Sequence, residues 1–140
     1  MNQFCYRKLP KYKYQLSKGL TISTSIIPEK LIQTDFIKLD TKGEMTIMKY
    51  YAWDGTSGAI DHPHNMRASL VHDALYQLMR LGKLDYRAHR NAADDLFYSI
   101  CREDHAGFFI AGLYRLGLKF FGEKFARPAV KKTYTEICSK

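Results

Sequence analysis

The sequence predicts an α+β domain, in which N-terminal β-hairpins form a small antiparallel sheet and a half made of three helices follows. In LTISTSI (20–26), apolar and polar residues alternate as they do on a half-buried strand. In MRASLVHDALYQLMRLG (66–82), apolar residues recur with the spacing of a helical face, and the pattern stops at Gly82. The change from alternating to helical spacing of the apolar residues separates the predicted strands from the predicted helices.

A hairpin is predicted between DFIKL (35–39) and MTIMKYYAW (45–53). The intervening DTKGE (40–44) is a turn sequence in which Gly43 can adopt a positive φ. We therefore expect residues 1–53 to be mainly strands.

The segment after these strands is rich in Gly, His and Asp and predicts an ordered loop over 54–65, the kind of segment that often carries function. Asn91 is the candidate N-cap of the second helix. The chain of 140 residues is expected to be one domain, 1–140. Its second half is divided into helices at 66–82, 90–103 and 106–122 and a basic tail at 123–140.

The chain has a net charge of +8. Such a charge predicts attraction to anionic lipid or to an acidic protein partner, with colloidal solubility as the alternative interpretation. The sequence has no arginine-rich run and no nucleic-acid-binding motif, so sequence-specific binding of nucleic acid is not expected.

The three cysteines, Cys5, Cys101 and Cys138, are far apart, which excludes a disulfide framework or a CxxC metal clip. The N-terminus lacks the apolar run of a signal peptide. Both features favour a reducing interior.

The longest apolar stretch, 106–122, is interrupted by Arg115 and Lys119 and is too short to span a bilayer, so no transmembrane segment is expected. It places Phe109, Leu113, Leu116 and Phe120 on one helical face, which predicts a core helix. A membrane-surface role is the alternative.

The first predicted helix carries a compact polar face beside its apolar arc. On a helical wheel, His72, Ser69 and Tyr76 share one stripe, and Asp73 borders it. A histidine can exchange a proton near neutral pH, and a carboxylate can bind a hard cation. The face is therefore a candidate site.

On the second predicted helix, Asp94 lies at the edge of the apolar arc. The short connection at 83–89 permits antiparallel packing of the two helices, which would let Asp94 reach and orient His72. A histidine oriented by a carboxylate is the arrangement used for general base catalysis.

HDALY (72–76) followed by ADDLF (93–97) resembles secretory phospholipases of the sn-2 acyl hydrolase type, especially the compact versions in parvovirus capsid proteins. The resemblance implies that His72 deprotonates the attacking water and that Asp94 and Tyr76 orient His72. It also implies that Asp73 binds calcium with carbonyls of the Gly55–Gly58 loop. The phospholipase disulfides are missing, and the loop carries an additional carboxylate, Asp54.

A second resemblance spans roughly residues 50 to 122. The succession of DGTS (54–57), HDALY (72–76) and ADDLF (93–97) is similar to a family of uncharacterised bacteriophage and prophage proteins. It implies kinship and a location in the host bacterial cytoplasm or the virion, but no activity. Gly58 stands near a position where that family usually has proline.

The polar residues also permit two further interpretations. Asp54, His72, Asp73 and Asp94 could bind one divalent metal together, with His62 and His64 as additional candidate ligands. Alternatively, each polar residue is structural, for example Asp94 in a capping box with Asn91.

Three functions are therefore expected as alternatives. The first is a phage-type, metal-assisted ester hydrolase with a phospholipase-like site. The second is a non-catalytic phage accessory or virion component, and the third is a host-directed inhibitor that binds an acidic partner.

Overall fold

A computed structural model of the protein describes residues 3–10, 14–56, 61–108 and 110–117. Strands occupy the first half and helices the second, as an α+β fold requires. The strands are β1 (Tyr6–Lys8), β2 (Tyr14–Leu16), β3 (Leu20–Ser23), β4 (Ile32–Gln33), β5 (Ile37–Leu39), β6 (Glu44–Ile47) and β7 (Ala52–Trp53). The helices are α1 (Met66–Arg80) and α2 (Tyr86–Glu103), followed by a third helix at 108 and 110–117.

The strands form two antiparallel sheets where the sequence predicted one. One sheet has the order β1-β2-β7, and the other has the order β3-β6-β5-β4. The split occurs inside the predicted strand 45–53, because Tyr50 has a φ of 76° and the chain turns between β6 and β7. The strands β1 and β2 lie within the region expected to be mainly strands, but neither was assigned individually, since basic residues obscure any apolar alternation there.

The predicted hairpin is confirmed as β5–β6. Gly43 adopts a φ of 83° in its turn, and Asp40 Oδ1 accepts hydrogen bonds from the backbone N–H groups of Lys42 and Glu44. The inward side chains of β5 and β6, including Leu39 and Ile47, are fully buried.

The helix α1 supplies most of the helical core. Its predicted apolar arc is buried as expected: Leu70, Val71, Ala74, Leu75 and Leu78. Beside this arc, a hydrogen bond of 3.0 Å from Trp53 Nε1 to Ser69 Oγ connects α1 to the sheet β1-β2-β7.

The helix α2 begins earlier than predicted. Its N-cap is Asp85, whose carboxylate accepts hydrogen bonds from the backbone N–H groups of Arg87 and Ala88. The prediction that Asn91 caps this helix is therefore wrong, and so is the capping box of Asn91 with Asp94. The first turns of the helix were not predicted, because their polar sequence YRAHRN (86–91) contains too few apolar residues to show a helical period.

The third helix buries a different side from the predicted one. Ala111 is fully buried, and the ring of Tyr114 lies 6.3 Å from that of Phe97 on α2. Leu113 and Leu116, which the sequence placed in the core, are 49% and 50% exposed. The other two residues of that predicted face, Phe109 and Phe120, lie outside the described residues.

Candidate functional site

The site lies between α1 and α2, where His72 meets Asp94. The distance from His72 Nε2 to Asp94 Oδ1 is 2.8 Å. Arg67, near the start of α1, binds Asp104, just beyond the end of α2. The two helices are therefore antiparallel, and the prediction that Asp94 reaches His72 is confirmed.

Tyr76 completes the cluster, one helical turn after His72. Its hydroxyl donates a hydrogen bond of 2.7 Å to the same oxygen of Asp94. The second carboxylate oxygen, Oδ2, is buried and has no hydrogen-bond partner among the residues that the structure describes. The two hydrogen bonds to Oδ1 fix the position of the carboxylate. In contrast, Oδ2 is a polar atom that is costly to bury without a partner.

Aromatic rings surround the imidazole of His72. The ring of Tyr76 lies 4.0 Å away and that of Phe97 5.6 Å away, measured between centroids. His72 is 6% exposed and Asp94 is 4% exposed. The histidine–carboxylate pair is thus held inside the helix interface, with only a small part of either residue exposed.

The phenol of Tyr76 remains a neutral donor. Burial raises its pKa far above the usual value, and the hydrogen bond and negative charge of Asp94 add to this rise. The positive charge of Arg90 acts in the opposite direction. Arg90 therefore belongs to the surroundings of the cluster, although nothing in the sequence marked it.

Asp73 faces a different side of α1 from His72. Burial raises the pKa of Asp73 to about 7; the charge of Arg80 opposes this rise, and that of Asp54 adds to it. Asp73 also raises the pKa of Tyr51, after burial as the main cause. The charge of Asp54 is the smallest of these contributions, so burial governs the pKa of Asp73.

The four candidate metal ligands do not gather at one point. Among the residues that the structure describes, no three His, Cys, Asp or Glu side chains are grouped as a metal site requires. Consecutive helix positions lie about 100° apart, so His72 and Asp73 project in different directions. The prediction of one metal bound by Asp54, His72, Asp73 and Asp94 is therefore wrong.

His62 and His64 lie beside each other in the loop, with ring centroids 4.6 Å apart. Both side chains are exposed. The Nδ1 atom of His62 accepts a hydrogen bond from the backbone N–H of His64, which makes this nitrogen unavailable to a metal.

Asp61, which the sequence did not single out, closes the loop before α1. Its Oδ1 accepts a hydrogen bond from the backbone N–H of Thr56, and its Oδ2 accepts one from the hydroxyl of Tyr14. Gly55 has a φ of 85°, and a Cβ added there would lie 2.4 Å from Asp61 Oδ1. Gly58, predicted to supply a carbonyl to calcium, lies outside the described residues.

The chain was compared with protein-family models, with curated proteins and with solved structures, and none of them matches it.

Proposed function

We propose that the protein is an ester hydrolase in which His72 is the general base and Asp94 and Tyr76 are positioning residues. The observation that supports this proposal is the double hydrogen bond on Asp94 Oδ1, at 2.8 Å from His72 Nε2 and 2.7 Å from the Tyr76 hydroxyl. These are the contacts that the resemblance to phospholipases implies. Kinship with bacteriophage proteins remains a prediction.

The chemistry follows from the nitrogen that Asp94 binds. With Nε2–H donated to the carboxylate, Nδ1 of His72 would accept a proton from water. The resulting hydroxide oxygen forms a bond to the ester carbonyl carbon. Collapse of the tetrahedral intermediate breaks the ester C–O bond, and the imidazolium returns the proton to the leaving alkoxide. Asp94 stabilises the imidazolium during these steps.

Calcium, which the resemblance implies, would polarise the ester carbonyl. Asp73, which the resemblance assigns to the ion, and Asp54 would be its carboxylate ligands. Calcium takes six to eight oxygen ligands, and the described residues bring no third acidic side chain to this place. They do not make a calcium site on their own, and the proposed reaction uses none.

The test is hydrolysis of a soluble nitrophenyl ester and of micellar phosphatidylcholine by the full chain. We expect His72→Gln to lower kcat/KM by about a hundredfold or more, the usual contribution of a general base. The matched control is Asp95→Asn, because Asp95 neighbours Asp94 on α2 but is exposed. Equal rates for the wild-type protein and His72→Gln would rule out the proposal.

A second candidate function is a non-catalytic phage accessory or virion component, and the burial of the pair favours it. In this alternative the contact, with 6% of His72 and 4% of Asp94 exposed, holds α1 against α2 and performs no chemistry. In that case the wild-type protein cleaves neither ester, while His72→Gln lowers the free energy of unfolding.

A further inference from the structure

The third helix turns a broad apolar side toward solvent. We call this surface the apolar face; it consists of Phe108, Ile110, Leu113 and Leu116. Phe108 is 72% exposed, Ile110 45%, Leu113 49% and Leu116 50%. On a helical wheel they cover an arc of about 200°. Large apolar side chains that gather on one exposed helix surface usually mark an interaction site.

The buried side of the same helix is narrow, since it consists mainly of Ala111 and Tyr114. Among the described residues, the helix contacts α2 through this strip, through an ion pair between Arg115 and Asp95, and through Phe108. The ring of Phe108 lies 6.3 Å from that of Tyr98 and beneath the guanidinium of Arg102. Apart from these contacts of Phe108, the described part of the chain leaves most of the apolar surface of this helix uncovered.

The sequence that contains and follows the apolar face is strongly basic. Residues 106–132 contain six basic residues and one acidic residue, a net charge of +5 out of +8 for the chain. The acidic residues of α2 on this side are compensated, because Asp95 binds Arg115 and Glu103 binds Arg67. These ion pairs reduce the negative charge that an anionic partner would meet, with Arg67 shared between Glu103 and Asp104.

We propose that the apolar face docks on the surface of an anionic lipid bilayer. Apolar side chains would enter the interface, and the basic residues would attract the headgroups, as in helices that lie in the membrane plane. Within the part of the chain that the structure describes, no helix has the length and apolarity needed to cross a membrane. The proposal does not depend on the hydrolase site, since the face lies on a different helix from His72 and Asp94.

The experiment is co-sedimentation of the full chain with vesicles of mixed phosphatidylcholine and phosphatidylserine, compared with pure phosphatidylcholine. We expect binding to the mixed vesicles that weakens as salt rises, because salt screens the charges. The double variant Leu113→Gln with Leu116→Gln should lower the partition coefficient about tenfold, from the loss of two inserted apolar side chains. The matched control is Leu31→Gln, because Leu31 is also 50% exposed but lies between β3 and β4.

A second measurement does not depend on removing apolar residues. In Leu116→Trp, tryptophan fluorescence should shift to shorter wavelength when mixed vesicles are added, whereas Leu31→Trp should show no shift. The native Trp53 is 2% exposed and gives a constant background.

Three results would overturn the proposal. The first is no binding to the mixed vesicles, and the second is equal binding of the wild-type protein and the double leucine variant. The third is dimerisation of the wild-type protein that the double variant abolishes, without any fluorescence shift on vesicles. That result would assign the apolar face to contact between two copies of the chain.

Discussion

The Nε2 atom of His72 lies 2.8 Å from Oδ1 of Asp94, and both side chains are buried between α1 and α2. A polar contact inside an apolar interface can form in only one relative position of the two helices. Tyr76, which binds the same oxygen, strengthens this restriction. The contact therefore defines how the helices pack, whether or not it also performs chemistry.

Removal of the carboxylate should be costly. Asp94→Ala leaves His72 and the Tyr76 hydroxyl without their acceptor in a buried place, so we expect a loss of about 3 kcal/mol in the free energy of unfolding. Urea denaturation followed by circular dichroism measures this loss. Asp95→Ala is the control, and because its ion pair with Arg115 is exposed, it should cost no more than about 1 kcal/mol. Equal losses for the two variants would contradict the role of Asp94.

Tyr76→Phe tests the hydroxyl without removing the ring. It deletes the hydrogen bond of 2.7 Å to Asp94 and keeps the stacking on His72. We expect a loss of about 1 kcal/mol, the usual contribution of one hydrogen bond. Tyr50→Phe, at a residue 52% exposed, should leave the melting temperature unchanged. A Tyr76→Phe protein as stable as the wild type would show that this bond adds nothing to stability.

Asp73 should make the stability depend on pH. The folded protein holds the proton of Asp73 up to a pKa of about 7, whereas the unfolded chain releases it near the ordinary aspartate pKa of 3.8. The stability contributed by this group is therefore full below about pH 4 and is lost as pH rises toward 7. Its size is at most about 4 kcal/mol, at roughly 1.4 kcal/mol per pKa unit.

The measurement is the difference in unfolding free energy between the wild-type protein and Asp73→Asn from pH 4 to pH 7. We expect the wild-type protein to lose stability relative to the variant over this range. A constant difference would show that Asp73 has the same pKa in the folded and unfolded states.

Gly43 should not tolerate a side chain. It has a φ of 83°, and an added Cβ would lie 2.5 Å from the backbone oxygen of Thr24. Gly43→Ala should therefore cost about 2 kcal/mol or more, from backbone strain together with a clash. Gly82→Ala is the control, because Gly82 has a φ of 68° but no atom within 4 Å of the added Cβ. It should cost about 1 kcal/mol, and an equal thermal shift in both variants would exclude the clash.

The parts of the fold that were predictable are those in which local pattern and tertiary packing agree. The apolar arc of α1 follows from the spacing of its apolar residues alone. The turn at Gly43 follows from its turn residues alone. The first turns of α2 were missed because a single N-cap, Asp85, starts a polar run. The division into two sheets depends on the positive φ of Tyr50, which has no marker in the sequence.

The candidate site was also predictable in part, because local pattern and tertiary packing agree there. The helical wheel placed His72 and Asp94 at the edges of two apolar arcs, and antiparallel packing brought them together. The wheel could not show how deeply the pair is buried, because the rings of Tyr76 and Phe97 enclose His72 only once the two helices have packed together. Asp61 was missed because its partners, Tyr14 and Thr56, come from different parts of the chain.

The most direct test of the central claim is whether His72 and Asp94 act as one catalytic unit. It compares kcat/KM for hydrolysis of a soluble ester in His72→Gln, Asp94→Asn and the double variant, with circular dichroism as the check on folding. We predict that the double variant is no slower than His72→Gln alone, because Asp94 acts only through the imidazole. Multiplied losses in the double variant, or a His72→Gln protein as fast as the wild type, would contradict the claim.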